Sequence, residues 1–298
     1  MRPLDRTYLP ARWYICARSA RHPCPLGTTF LPTRRYICGH WARWRSTTTG
    51  RQGRTADTTQ APTARQREIA RAGTARGDLV LSHGHDGGLE LRVNGVLVMT
   101  STETSSEDLL ATRVLEAVAV LPPVTGSATR LRVVVGGLGL GVTLARLLTS
   151  PAVADVLVAE IEPDLVRWHL DGTVPPPDAA CETSVLADPR VRVDVGDIRA
   201  VVSGLASESV DAIVLDVDNG PSLLVYDANS AVYEEPFLGR CAAALRPAGV
   251  LAVWSADEAP DLVRAMRRCL GRVEELAVPV TLGRRHTDYH LMLGHRLP

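Results

Sequence analysis

Residues 136–141 read Gly136-Gly137-Leu138-Gly139-Leu140-Gly141, and this run restricts the chain to folds in which a buried strand turns at once into a helix. The apolar stretch Leu131-Arg132-Val133-Val134-Val135 precedes it, and a helical pattern over 142–148 follows. Glycines at such a turn let the backbone approach a ribose or phosphate that any Cβ would hold off. Spacing then sorts the ligands. The dinucleotide fingerprint G-x-G-x-x-G needs a small third residue, but counted from Gly137 that position is Val142, and from Gly139 it is Leu144. Gly137, Gly139 and Gly141 instead form G-x-G-x-G.

An ordered series of acids lies downstream. Val156-Leu157-Val158-Ala159-Glu160 reads as a second buried strand ending 19 positions after Gly141, near the spacing at which a carboxylate meets ribose hydroxyls. Val191-Arg192-Val193-Asp194-Val195-Gly196-Asp197 reads as a third strand, with Asp197 where an adenine amino group can be bound. Val210-Asp211-Ala212-Ile213-Val214-Leu215 runs into Asp216-Val217-Asp218-Asn219-Gly220-Pro221. Ligands of open parallel sheets sit beyond the carboxyl ends of the strands, where Glu160, Asp197 and Asp216 all fall. Singly, each acid also reads as a helix cap or a solvated loop charge.

G-x-G-x-G is the form typical of S-adenosylmethionine folds, and from Gly77 onward the series resembles the spermidine synthase (polyamine aminopropyltransferase) family. The resemblance is carried by 135–141, Glu160-Ile161-Glu162, Asp188-Pro189-Arg190-Val191, Gly196-Asp197, 216–221, 229–233 and 245–251. It implies a class I methyltransferase fold and decarboxylated S-adenosylmethionine as cofactor. It also implies that Glu160 holds the ribose and Asp197 the adenine, that Asp216 binds and deprotonates the attacking amine, and that Asn229 and Tyr233 line the amine pocket. Asp218 would be a second anchor for ammonium. Three departures stand against these matches. Gly139, flanked by leucines, occupies the place of the family's glycine-loop aspartate. Thr104-Ser105-Ser106-Glu107 stands where a Tyr-His pair is expected, and the Asp-Ser-Ser-Asp-Pro loop is shortened to Asp216-Val217-Asp218-Asn219.

All 33 basic residues are arginine, which excludes Schiff-base and lysine general-base chemistry. The formal net charge of zero hides an asymmetry: residues 1–60 hold eleven arginines and two acids, leaving the remainder acidic. An acidic domain suits a cationic sulfonium or polyamine, although solvated acidic surfaces are also common. Residues 1–74 lack sustained periodicity and are expected to be a disordered, Arg-rich leader. Neither this stretch nor the rest carries an apolar run of membrane-spanning length, so no membrane partner is expected. The repeats at 12–16 and 34–38, with Cys24 and His40, lack the C-x-x-C spacing of a zinc site, and no metal is expected. Cys181, Cys241 and Cys269 read as reduced thiols of a cytoplasmic protein. His83, His85, His286, His290 and His295 show no ligand pattern, while Trp168, Trp254, Phe237 and Met266 read as core.

Leu89 to Met99 alternates around Asn94-Gly95, a hairpin signal that places a small N-terminal β-sheet and a connecting helix in 75–124. Ser105 or Ser106 can cap that helix, and Pro122-Pro123 ends it. Residues 125–298 alternate strand and helix and should form a doubly wound, mostly parallel seven-stranded α/β sheet. Helices are expected at 142–149, 163–171, 198–205, 229–245 and 260–271. Strands 273–280 and 289–294 are joined too closely for a crossover, so they should form an antiparallel edge pair. The expected activity is aminopropyl transfer to a polyamine such as putrescine, by a protein that could be a homodimer and has no expected nucleic-acid partner. The competing readings are a small-molecule methyltransferase using intact S-adenosylmethionine and a non-catalytic nucleoside-binding relative.

Overall fold

The structure, a computed structural model, describes residues 14–15, 67–119, 130–178, 182–283 and 285–297. Strand β1 (Tyr14–Ile15) is followed by β2 (Arg67–Thr74), β3 (Gly77–His83), β4 (Leu89–Val93) and β5 (Val96–Thr100), then by helix α1 (Ser105–Ala119). Strand β6 (Leu131–Gly136) leads through the glycine loop into α2 (Val142–Leu148); β7 (Val153–Glu160) and α3 (Pro163–Leu170) follow. Next come β8 (Val191–Val195), α4 (Ile198–Ser203), β9 (Val210–Leu215), α5 (Glu235–Ala244), β10 (Leu245–Ser255), α6 (Pro260–Leu270), β11 (Gly271–Leu282) and β12 (Arg285–Arg296).

The main sheet has the order β8-β7-β6-β9-β10-β12-β11, with the two-residue β1 beside β8. Strands β8, β7, β6, β9 and β10 pair in parallel, and β12 is antiparallel to both β10 and β11. This is the doubly wound class I methyltransferase-like architecture, including the antiparallel pair at its edge. The central strands are apolar throughout because both faces are covered. Val133 and Val135, Ala212 and Val214, and Val250 and Ala252 face a layer containing Val114 of α1 and Leu144 and Leu147 of α2. The alternate residues Val134, Ile213, Leu215, Leu251 and Val253 face Val201 of α4, Leu238 of α5 and Met266 of α6.

The smaller sheet is the antiparallel meander β2-β3-β4-β5. Asn94 and Gly95 form the β4–β5 turn with φ of 51° and 79°, the left-handed values such a hairpin turn requires. Leu79, Leu81, Leu91 and Val93 of this sheet pack on Leu140 of the glycine loop and on Leu165 and Trp168 of α3. The sheet therefore covers the cofactor-loop end of the main domain.

Two expectations are corrected. Residues 67–74 were assigned to the disordered leader, but they form β2, paired with β3 from Arg67 opposite His83 to Thr74 opposite Gly77. The inward positions of this strand are Ala70 and Ala72, side chains too small to register as apolar periodicity. The helix expected over 229–245 is broken: a 3₁₀ turn, Asp227–Tyr233, ends at an extended Glu234, and α5 begins at Glu235. Pro236 fits the first turn of a helix but would remove a hydrogen bond from a helix interior. Tyr14–Ile15, also assigned to the leader, pair with β8 as β1; the disorder expected for residues 1–13 and 16–66, the zinc-like grouping and Cys181 lie outside the described residues.

Removing residues 1–66 should leave the melting temperature within about 2 °C of the full chain, whereas starting at Arg76 should lower it by several degrees. Loss of β2 strips a complete ladder from β3 and exposes Leu79 and Leu81 at a new sheet edge. Differential scanning calorimetry on the two truncations checks this.

Candidate active site

Three strand ends converge on the glycine loop. The Gly137 N–H donates to the Ala159 carbonyl at 2.9 Å, and the Asp216 N–H donates to the Gly136 carbonyl at 2.9 Å. Gly137 has φ of 87°, and a Cβ there would run into the Asp216 carbonyl oxygen. Gly139 has φ of 51°, and its Cβ would lie 3.0 Å from Met99 Sδ. Met99 comes from β5 and accepts the Leu140 N–H at 3.3 Å. From below, buried His169 has Nε2 2.9 Å from the Gly139 carbonyl, which makes Nε2–H the donor. Burial lowers the His169 pKa and keeps the ring neutral.

Glu160 ends β7 in a buried position. Its Oε2 accepts the Leu138 N–H at 2.8 Å and its Oε1 the Glu162 N–H at 2.8 Å, so the carboxyl fastens the loop to the strand. Burial pushes its pKa up to about 7, against the pull of these backbone donors. A carboxylate offers about four acceptor positions, so two remain for ribose hydroxyls.

Two adjoining cavities share Gly137, Glu160, Ile161 and Val217. The smaller, about 50 Å³, is also lined by Gly196, Asp197 and Asn229. Asp197 caps α4 by accepting the Arg199 N–H at 2.8 Å and pairs with the Arg199 guanidinium at 2.6 Å. Burial pushes Asp197 up, but these Arg199 bonds outweigh it and hold the carboxyl below the usual range. The acid thus caps α4 while lining the smaller cavity.

The other cavity, about 80 Å³, lies between the small sheet and the glycine loop. Val93, Val98 and Met99 roof it, and Glu107, Glu160, Glu162, Asp216 and Asp218 also line it. Among the described residues, no arginine or histidine lines it. Asp216 accepts the Thr143 hydroxyl at 2.9 Å, and burial pushes its pKa up to about 6. Asp218 is engaged by its own loop: it accepts the Asn219 N–H at 2.7 Å, the Val225 N–H at 2.8 Å and the Asn229 amide at 2.7 Å. Asn229 therefore braces Asp218 while facing the smaller cavity. Tyr233 is buried in the core beside Val232 and Phe237, where burial raises its hydroxyl pKa.

Sequence reasoning passed over Glu107, Tyr226 and His169, and read Trp254 as core although it lines this chamber. Glu162 was noticed only within its motif. It accepts from Arg76 at 2.8 Å and from the Tyr226 hydroxyl at 3.0 Å, both through Oε1. Its Oε2 is buried without a hydrogen-bond partner. Glu107 carried one signal: it falls where the Tyr-His pair was expected.

Because Glu160 has a raised pKa when folded, the native state holds more protons than the unfolded chain between about pH 4.5 and 7. Its contribution to stability is greatest below that window and declines as pH rises through it. Wild type should therefore lose stability relative to Glu160→Gln between pH 5 and 8. Urea denaturation of both proteins across that range measures the change; a gap independent of pH would contradict the burial-driven shift.

No family model matches the sequence. Solved structures do match the fold. A spermidine synthase in complex with the transition-state analogue AdoDATO superposes with a TM-score of 0.62 at 16% identity, covering 77% of this chain and 74% of that one. Spermidine synthase from Thermotoga maritima gives 0.61 at 16% identity over 77% and 73%. A probable spermidine synthase from Corynebacterium glutamicum gives 0.51 at 19% identity over 79% and 81%. The chain has the fold of these spermidine synthases.

Proposed function

We propose that this chain is a spermidine synthase-like aminopropyltransferase, moving an aminopropyl group from decarboxylated S-adenosylmethionine to an amine such as putrescine. The observation that carries this reading is the chamber beside the glycine loop, lined among the described residues by five carboxyl groups and no basic side chain. Such a lining attracts a sulfonium and an ammonium together and repels the carboxylate of intact S-adenosylmethionine. That one similar structure holds the transition-state analogue AdoDATO adds support.

The residues present fit a nucleoside. The loop at Gly137, Gly139 and Gly141 would take its backbone-facing edge, Glu160 its ribose hydroxyls, and Asp197 with Gly196 the adenine end, the smaller cavity continuing the chamber through Glu160. When bound, the sulfonium cofactor supplies the electrophilic carbon and a neutral thioether leaving group. Asp216 draws the acceptor ammonium into line and takes one N–H proton as the new N–C bond forms and the C–S electron pair returns to sulfur. Its raised pKa suits a proton acceptor working near neutrality. Asp218 and Asn229 keep the following loop in place, and Tyr233 supports it from the core.

Asp216→Asn should lower aminopropyl transfer by about 10²–10⁴-fold while leaving methylthioadenosine affinity within about threefold. Mass spectrometry of products from putrescine with either cofactor form, alongside calorimetry and a melting curve, tests this. Undiminished transfer by folded Asp216→Asn removes the assigned base. Methyl transfer from intact S-adenosylmethionine replaces the reaction, and no reaction with stabilisation by methylthioadenosine alone leaves a nucleoside-binding protein.

A further inference from the structure

Glu107 lies in the first turn of α1 and points inward, where it lines both the reaction chamber and a second cavity of about 230 Å³ on its far side. It is held by a buried relay: Trp254 Nε1 donates to Ser106 Oγ at 3.0 Å, and the Ser106 hydroxyl donates to Glu107 Oε2 at 2.6 Å. Asp216 is held in the same manner by Thr143, from the first turn of α2. Each carboxyl therefore has one oxygen fixed by a hydroxyl, and among the described residues no arginine or histidine lines the chamber they share. An unneutralised buried carboxylate is costly, and the cost falls when a cation enters. The partnerless Oε2 of Glu162, on a side chain 4% exposed in the same chamber, independently marks a place for a polar or cationic ligand.

We propose that Glu107 is a second catalytic carboxylate, acting with Asp216 on one cationic amine. The inference rests on the aminopropyl-transfer reading and adds a residue to it. Like charges buried in one chamber repel each other, which favours a state in which the pair shares a proton. Burial, with the Asp216 charge, pushes Glu107 up to about 7. Glu103 and Tyr289 are the other titratable groups beside Glu107; Tyr233 and Asp218 stand near Asp216, and Arg285 lines the outer cavity. When the diamine enters as a dication, the pair gives up its shared proton to solvent. One carboxylate then takes an N–H proton from the reacting ammonium. The freed lone pair forms the N–C bond as the C–S bond breaks toward sulfur, and the second carboxylate balances the positive charge on the product nitrogen.

The test uses the full chain loaded with methylthioadenosine and titrated with putrescine dihydrochloride by calorimetry near pH 6.5, in two buffers of different ionisation enthalpy. Wild type should release protons on diamine binding. Glu107→Gln should release half as many or fewer, bind the diamine about tenfold more weakly, and keep methylthioadenosine affinity within about twofold. Its kcat should fall about 10–100-fold, with the acid limb of kcat/KM displaced. Glu107→Asp, which keeps the charge, should retain the proton release and serves if the glutamine variant does not fold. Wild-type proton release and kcat in Glu107→Gln overturn the role of Glu107 and leave Asp216 as sole base, as does loss of proton release in a folded Glu107→Asp. A wild type that binds neither methylthioadenosine nor putrescine overturns the transferase reading along with it.

Discussion

The site depends on the absence of a Cβ at Gly137. That absence lets the end of β9 close against the glycine loop, with the Asp216 N–H bonded to Gly136 and the Gly137 N–H bonded to Ala159. Three strand ends are thereby fixed side by side, and the side chains that leave them, Glu160 and Asp216, enter one chamber in register. A larger residue would have to separate β6 from β9 and would carry Asp216 away from Thr143. The left-handed φ at Gly137, Gly139 and Gly141 is the local form of the same requirement.

A chamber with five carboxyls is stable only if their charges are distributed or suppressed. Glu160 is held by two backbone N–H groups, Asp218 by three and a side-chain amide, and Glu162 by Arg76 and Tyr226. Glu107 and Asp216 receive one hydroxyl each, and both titrate upward. The N-termini of α1 and α2, which carry these hydroxyls, add a favourable partial positive charge. The five acids thus divide into two held by backbone N–H groups, one held by an arginine and a tyrosine, and two that receive a single hydroxyl.

Much of this was legible in the sequence because it depends on contacts that are local or periodic. The G-x-G-x-G loop, the apolar parallel strands and the Asn94-Gly95 turn each impose a pattern within a dozen residues. Position at a strand end was enough to locate Glu160, Asp197 and Asp216. Glu107 was not legible: its meaning comes from Trp254, 147 positions away, and Asp216, 109 away, while its own neighbourhood reads as an ordinary acidic first turn. Strand β2 escaped for a similar reason, since its inward positions are alanines and its pairing is supplied by β3. Tyr233, which the resemblance suggested as a pocket residue, packs in the core with its hydroxyl near Asp218 and Asp216.

The small sheet meets the glycine loop directly at Gly139. Met99 descends from β5 onto Gly139 and takes the Leu140 N–H on its sulfur, filling the space an aspartate side chain would need. The roof and the loop therefore meet through a soft, polarizable contact that carries no charge. Negative charge lost from that side must come from elsewhere if a doubly cationic pair of reactants is to be held together in a small space. Glu107 supplies it from the α1 side, placed by the relay through Ser106 and Trp254. Val98, Met99, Glu107 and Trp254 line both cavities, so the thioether contact of the roof and the Glu107 carboxyl meet at one boundary.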